Sequence, residues 1–470
     1  MRTPKLIILA LALAGAQATS AADPAADTAK ELAALKARVG ELEKAQQAAA
    51  ATQASPAPAG MTPEQLQDLG RITVKAEGLE DSRDASGLKG FKISGYMDPT
   101  YVWNANKERG TFQFLVPASA EGYGYDNSYF GTVSLDVQKE TENGTKFHLN
   151  LIPKRGTGDF NDASIVNEAS VWIPLGGLDK KLFAGQIPDW SGYEYQAPTQ
   201  NLLVTHNLLF DFTLPFFYTG VGLELVKPRL DLKLMLANFN SSIRQVGEHV
   251  PAFVFRGDYT PKGTDYWGLG FAGGLGYKSN LRPFAADGSV ANNPVTGDPY
   301  STKDTLFVTG EVDGWYTRGA VTFNAHVNFG SQQQAAITAG ADGKLRDAQW
   351  FGVSALAAYK WSPKLQGILR GDFIYDQKNG GGLLDWTAAD GGNGVGPDQK
   401  GGDANKGANK YALTAGLGYT LSANVTLKAE VRFDGATQNV FANKDALTGG
   451  PSPKYSKTNA LAATQVVFFF

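Results

Sequence analysis

Val425-Thr-Leu-Lys-Ala-Glu-Val-Arg-Phe-Asp434 decides the fold. Its odd positions (Val425, Leu427, Ala429, Val431, Phe433) are apolar, and its even ones (Thr426, Lys428, Glu430, Arg432, Asp434) are polar or charged. Successive side chains of a strand point to opposite faces, so this segment has one oily and one charged face. The rhythm recurs in Leu230–Leu236, Leu306–Asp313, Val321–Phe329, Phe351–Tyr359 and Tyr411–Tyr419. Strands that repeat this pattern without a shared core place their oily faces in lipid and their charged faces in an aqueous lumen. Each is about 10 residues long, enough for a tilted strand to cross a bilayer.

The connections carry a second rhythm. Short ones fall at Glu142–Gly144, Pro174–Asp179, Lys227-Pro228, Pro261–Asp265, Thr317-Arg318, Ser362-Pro363 and Ser422–Asn424. Long polar ones lie near 106–125, 190–217, 279–303, 331–346, 378–409 and 435–457, with briefer ones near 156–163 and 239–249. Turns alternating with loops describe an up-and-down barrel. The expected fold is all-β: a transmembrane antiparallel barrel of about 16 strands over residues 90–470. No motif repeats per blade or coil, which excludes a propeller or solenoid.

Composition agrees with this class. The 470 residues include 55 Gly, 26 Phe and 18 Tyr, only 19% are charged, and cysteine is absent. That removes disulfides, thiolate metal sites and a lipidated cysteine anchor. The net charge of −3 gives no electrostatic footprint for nucleic acid.

Residues 1–22 read as a signal peptide: Arg2 and Lys5, then the apolar run Leu6–Ala14, then Ser20-Ala21-Ala22 as a small-residue cleavage site. The apolar run is too short to span a bilayer. Residues 23–60 hold Leu32, Leu35, Val39 and Leu42 at heptad spacing, followed by an Ala/Pro-rich linker. They fit either a solvated amphipathic helix or a short coiled-coil stalk that helps a homotrimer. Residues 61–89 read as a periplasmic connector.

The chain ends Thr464-Gln-Val-Val-Phe-Phe-Phe470. This resembles the closing strand of Gram-negative outer-membrane proteins, whose terminal Phe is read by the barrel-assembly machinery; Phe470 takes that place. Ala184-Gly-Gln-Ile-Pro-Asp-Trp-Ser-Gly-Tyr-Glu194, a long loop and then Tyr218-Thr-Gly-Val-Gly-Leu-Glu224 resemble a segment of the phosphate-selective porins (O and P) and related Gram-negative porins. The resemblance implies outer-membrane lipid as surroundings, no cofactor, and an inward-folded constriction loop at 190–217. From Trp190 to Thr219 there is no Lys or Arg, only Glu194, His206 and Asp211. Phosphate selectivity, which uses basic residues in that family, is therefore not expected.

The candidate constriction residues are Tyr193, Glu194, His206, Asp211, Phe212 and Phe216. The loop aromatics either stack on passing solutes or pack the loop against the wall. The candidate lining residues are Lys233, Arg256, Asp258, Glu311, Asp313, Arg370, Asp372, Lys428, Glu430 and Arg432. Lys146, Asp136, Glu168, Glu224 and Asp434 share the inward rows. Opposed basic and acidic rows set a transverse field, or pair across strands.

Enzyme-like patterns are weaker. Gly268-Leu-Gly-Phe-Ala-Gly273 fits a dinucleotide fingerprint by letters, but it lies in a strand with no helix after it. No serine-hydrolase motif surrounds His148, His206, His249 or His326. Asp390, Asn393 and Asp398 could offer oxygens to calcium, although Asp385–Asn405 reads as an extracellular loop. The expectation is a porin passing small hydrophilic solutes. A barrel lipase or protease, or a structural or adhesive barrel, is the alternative.

Overall fold

The computed structural model describes residues 88–115, 128–153, 165–240, 251–261, 266–278, 280, 282–283, 289–376, 383, 396, 398–400 and 406–470. The signal peptide, the heptad segment, nearly all of the connector, His249, Asp390 and Asn393 lie outside the described residues.

The strands are β1 Phe91–Met97, β2 Thr100–Asn104, β3 Arg109–Gln113, β4 Val133–Glu140, β5 Lys146–Leu151, β6 Val166–Pro174 and β7 Lys180–Pro188. After the short helix α1 (Leu208–Phe212) come β8 Phe217–Lys227, β9 Leu230–Phe239, β10 Ala252–Tyr259, β11 Trp267–Lys278, β12 Thr305–Arg318 and β13 Val321–Gln332. The remainder is β14 Ala348–Lys360, β15 Leu365–Tyr375, β16 Lys410–Ser422, β17 Val425–Ala436, β18 Phe441–Ala442, α2 Lys444–Thr448, β19 Tyr455–Ser456 and β20 Thr458–Phe469. β18 and β19 form a small ribbon of their own, and the other strands make a single antiparallel sheet.

That sheet closes on itself. β20 pairs with β17 on one side and with β1 and β2 on the other. β1 and β2 form one stave, interrupted at Asp98-Pro99, where proline has no N–H to give the ladder. β3 and β4 pair with β2 and β1 respectively and form the second stave, interrupted by 114–132. Counted so, the barrel has 16 staves. Closure leaves no sheet edge, the condition for a β-structure inside hydrocarbon. Among the described residues no helix is long and apolar enough to cross a membrane.

One connection differs from the sequence reading. The stretch near 106–125 is not a single loop: a tight turn at 105–108 leads into β3, and the excursion begins only at 114. Asp98 explains the re-entry. Its carboxylate accepts the Gly131 N–H (2.8 Å), the Thr132 N–H (2.7 Å) and the Thr132 hydroxyl (2.8 Å), and so fixes where the second stave resumes.

The strands face as their alternation requires. Val431 and Phe433 are exposed on the outside, whereas Lys428, Glu430, Arg432 and Asp434 are buried inside. Glycines across from outward rings explain part of the glycine content: a Cβ at Gly435 would meet the Tyr411 ring and one at Gly257 the Phe271 ring.

The inner face changes along some staves. Toward the short turns β9 presents Asp231 and Lys233 inward, but toward the loops it presents Met235, Ala237 and Phe239, all buried. Phe183, Phe307, Trp350, Ile374 and Leu461 continue this apolar layer and pack with α1 in one core. Among the described residues, this layer and α1 occupy much of the interior toward the loops.

Candidate functional site

The segment between β7 and β8 fills that space. Gly192 (φ 72°) turns the chain where a Cβ would crowd the His326 ring. Farther on, Asn207 caps α1 by accepting the Phe210 N–H (2.8 Å). All five residues of α1 are buried, Leu208 and Leu209 completely. Burying one such side chain is worth roughly 1.5–3 kcal/mol, so the helix is seated mainly by apolar contact. Asn207 also gives its N–H to Glu194 (2.5 Å), which ties the two ends of the segment together.

The inward charges of the wall then hold the backbone of this segment. Glu430 accepts the Val204 N–H (2.7 Å) and the Thr205 hydroxyl (2.5 Å). Arg370 donates to the carbonyls of Thr205 (2.7 Å) and His206 (2.9 Å) and to Glu194 (2.8 Å). Arg432 donates to the same His206 carbonyl (2.9 Å) and to Asp434 (2.9 Å). Lys428 donates to the Pro198 carbonyl (2.6 Å). A segment without Lys or Arg is thus docked by three cations from β15 and β17. Carboxylate and guanidinium bonds of this kind are the strong ones.

A second set holds the start of the segment. Glu311 accepts the Gly192 N–H (2.7 Å) and bonds His326 (2.7 Å). The Tyr193 hydroxyl meets Ser354 (2.6 Å), whose own hydroxyl bonds Asp372 (2.6 Å). Asp372 also takes the Arg370 Nε–H (3.2 Å). Arg256 bonds Asp258 (2.6 Å) and Asp313, and lies 3.4 Å from Glu311. Lys233 pairs with Asp231 (2.8 Å) and stands 3.6 Å from Glu224.

His206, Asp211 and Ser128 meet inside. Ser128 Oγ lies 3.0 Å from His206 Nδ1 and donates to Asp211 (2.6 Å), while His206 Nε2 lies 2.8 Å from the Tyr195 carbonyl. The imidazole stacks on Phe210 with centroids 4.0 Å apart. Burial, helped by the neighbouring cations, pushes His206 down to about 3. Burial also pushes Asp211 up to about 7. The three letters of a hydrolase triad are present, but the aspartate bonds the serine instead of the imidazole, and all three are buried. This is a docking network without the order of a nucleophile triad.

The structure thus gathers the predicted residues into two groups. Glu194, His206, Arg370, Asp372, Lys428, Glu430 and Arg432 form the dock, whereas Lys233, Arg256, Asp258 and Asp313 lie toward the short turns. Phe212 sits under the Lys410 ammonium (4.3 Å), and Phe216 packs with Tyr129 and Phe210. Both rings are buried.

Sequence reasoning missed Ser354, Thr205, Lys410 and the apolar inner layer. The layer did leave a signal: strands such as Met235-Leu-Ala-Asn-Phe239 turn apolar on both faces near their loop ends. Asp398, offered to calcium, accepts the Asn439 side-chain amide (2.8 Å).

A family model described as "Protein of unknown function (DUF3138)" matches residues 8–470, and the chain belongs to that family. No curated protein matches the sequence. Among solved structures it is similar to OmpT (in-vitro folded), an outer membrane protein of Vibrio cholerae, at 10% identity, 81% coverage of this chain, 97% of that one and a TM-score of 0.48. The anion-selective porin from Comamonas acidovorans gives 10% identity, 81% and 99% coverage and 0.48. The Salmonella typhi OmpF complex with Daunomycin gives 10%, 81% and 97%, and 0.49.

Proposed function

We propose that this member of the DUF3138 family is a channel of the Gram-negative outer membrane, passing small hydrophilic solutes passively and narrowed by the inward segment 190–217. The observation that carries the reading is the inversion of polarity: a closed barrel with an apolar outside and charged inner rows, crossed by a segment of its own chain. The resemblance of 184–224 to phosphate-selective and related porins supports the same role for the segment.

The wall opposite the dock keeps partly water-exposed charges, with Asp136 at 19%, His148 at 17% and Lys181 at 30% side-chain exposure. Solutes would pass along that wall. The buried apolar packing of α1 supports a constricted channel, for which small conductance steps are expected. The inner charges that hold the segment pair off, so at the dock they leave little net field to select an ion. Export by the 1–22 leader, assembly through Phe470 and a homotrimer aided by 23–60 complete the reading.

Planar-bilayer recording tests it. Discrete small steps are expected, enlarged several-fold when 196–212 is replaced by a short linker. Silence from both proteins under all ionic conditions, with lipid or peptide turnover, would turn the case toward a barrel enzyme.

A further inference from the structure

Inside the barrel, at its short-turn end, lies a cavity of about 540 Å³. That size falls among sites for small organic ligands, roughly 300–1,000 Å³. Its two carboxylates, Asp258 and Asp313, are both engaged by Arg256. Lys360, on the inward row of β14, and Lys364, in the turn that follows, also line it. Both are exposed, and among the described residues neither ammonium makes an ion pair. The unmatched charge of the cavity is therefore positive.

Tyr193, Tyr195 and Trp315 line the same space. Tyr195 is 52% exposed and Trp315 37% exposed, although both face the interior. Gly268 makes room for the indole: a Cβ there would fall 2.7 Å from its Nε1. The ring is thus laid against β11, with its open side to the cavity. Exposed rings beside unpaired ammonium groups suit a planar ring that bears a negative charge.

We propose that this cavity binds a small aromatic carboxylate, its ring against Trp315 and Tyr195 and its carboxylate between Lys360 and Lys364. The inference deepens the channel reading and rests on it, since the cavity would be the solute's waiting place at the mouth.

Calorimetric titration of the full chain in detergent micelles, with benzoate, benzyl alcohol, acetate and inorganic phosphate, tests the site. Benzoate is expected to bind at least about tenfold more tightly than the other three, because each of them lacks the ring or the charge. K360Q/K364Q should weaken benzoate about tenfold, W315A by a similar factor, and K360R/K364R should restore binding to within about threefold. Benzoate binding no better than acetate or phosphate, or indifference to K360Q/K364Q, overturns the proposal. Calorimetry needs no conduction: binding to a protein that never conducts keeps the site and removes the channel, and conduction without binding does the reverse.

Discussion

Replacing Arg370 with Ala is the sharpest perturbation of the dock. Its guanidinium is completely buried and serves Glu194, Asp372 and the carbonyls of Thr205 and His206. Truncation leaves two carboxylates and the Thr205 carbonyl without this donor, while the His206 carbonyl keeps Arg432. Breaking a buried pair by removing one partner costs roughly 3–5 kcal/mol. The barrel ladders do not pass through this side chain, so the cost falls on docking of the segment. At 1.4 kcal/mol per decade, even the lower figure raises the undocked population by roughly a hundredfold. Amide hydrogen exchange at Val204 and Thr205, whose N–H groups go to Glu430, should accelerate by about that factor. Exchange in the β15–β17 ladder should stay put, and bilayer currents should become larger and noisier. Arg370→Lys, which keeps the charge but loses the fork, should fall between. Unchanged exchange at Val204 and Thr205 together with unchanged current would refute the docking argument.

Glu430→Gln should loosen the same two amides by about 2 kcal/mol, because a carboxamide brings an N–H₂ against backbone N–H groups; exchange rates read it directly. The pH response has two opposed parts. Asp211, raised from 3.8 to about 7, contributes docking stability that is full below about pH 4 and lost as pH rises through 7. His206, lowered from 6.5 to about 3, contributes stability that is full above pH 6.5 and lost as pH falls through 3. Asp211→Asn leaves only the second, so protection of Val204, corrected for intrinsic rates, should then rise from pH 4 to 6.5 more steeply than in the parent protein. Gly192→Ala, strained at φ 72° and tight against His326, should cost docking roughly 1 kcal/mol, seen as faster exchange at residue 192. Deleting Phe470 removes its paired backbone bonds with Gly95 (3.0 and 3.2 Å), and a lower yield of heat-modifiable barrel on gels is expected.

The sequence by itself determined the barrel. A period of two is written residue by residue, and each stave separates its apolar row from its polar row whatever its neighbours are, so Val425–Asp434 declares its own faces. The turn and loop rhythm likewise depends on local chemistry, and it supplied the count of staves. The long connection at 190–217 was legible too, while its inward course was implied only by the resemblance of 184–224 to known porins.

Tertiary structure alone decided what the inward charges do. Glu430 and Val204 are 226 residues apart in the chain, and nothing local to either announces the bond between them. Arg370 and Arg432 stand on staves separated by β16 and converge on a single carbonyl, that of His206. The split of the second stave also waited for Asp98 to reach Gly131 and Thr132. Periodicity reports which face a side chain takes; a buried charge needs a specific partner, and that partner is chosen only when distant segments close around it.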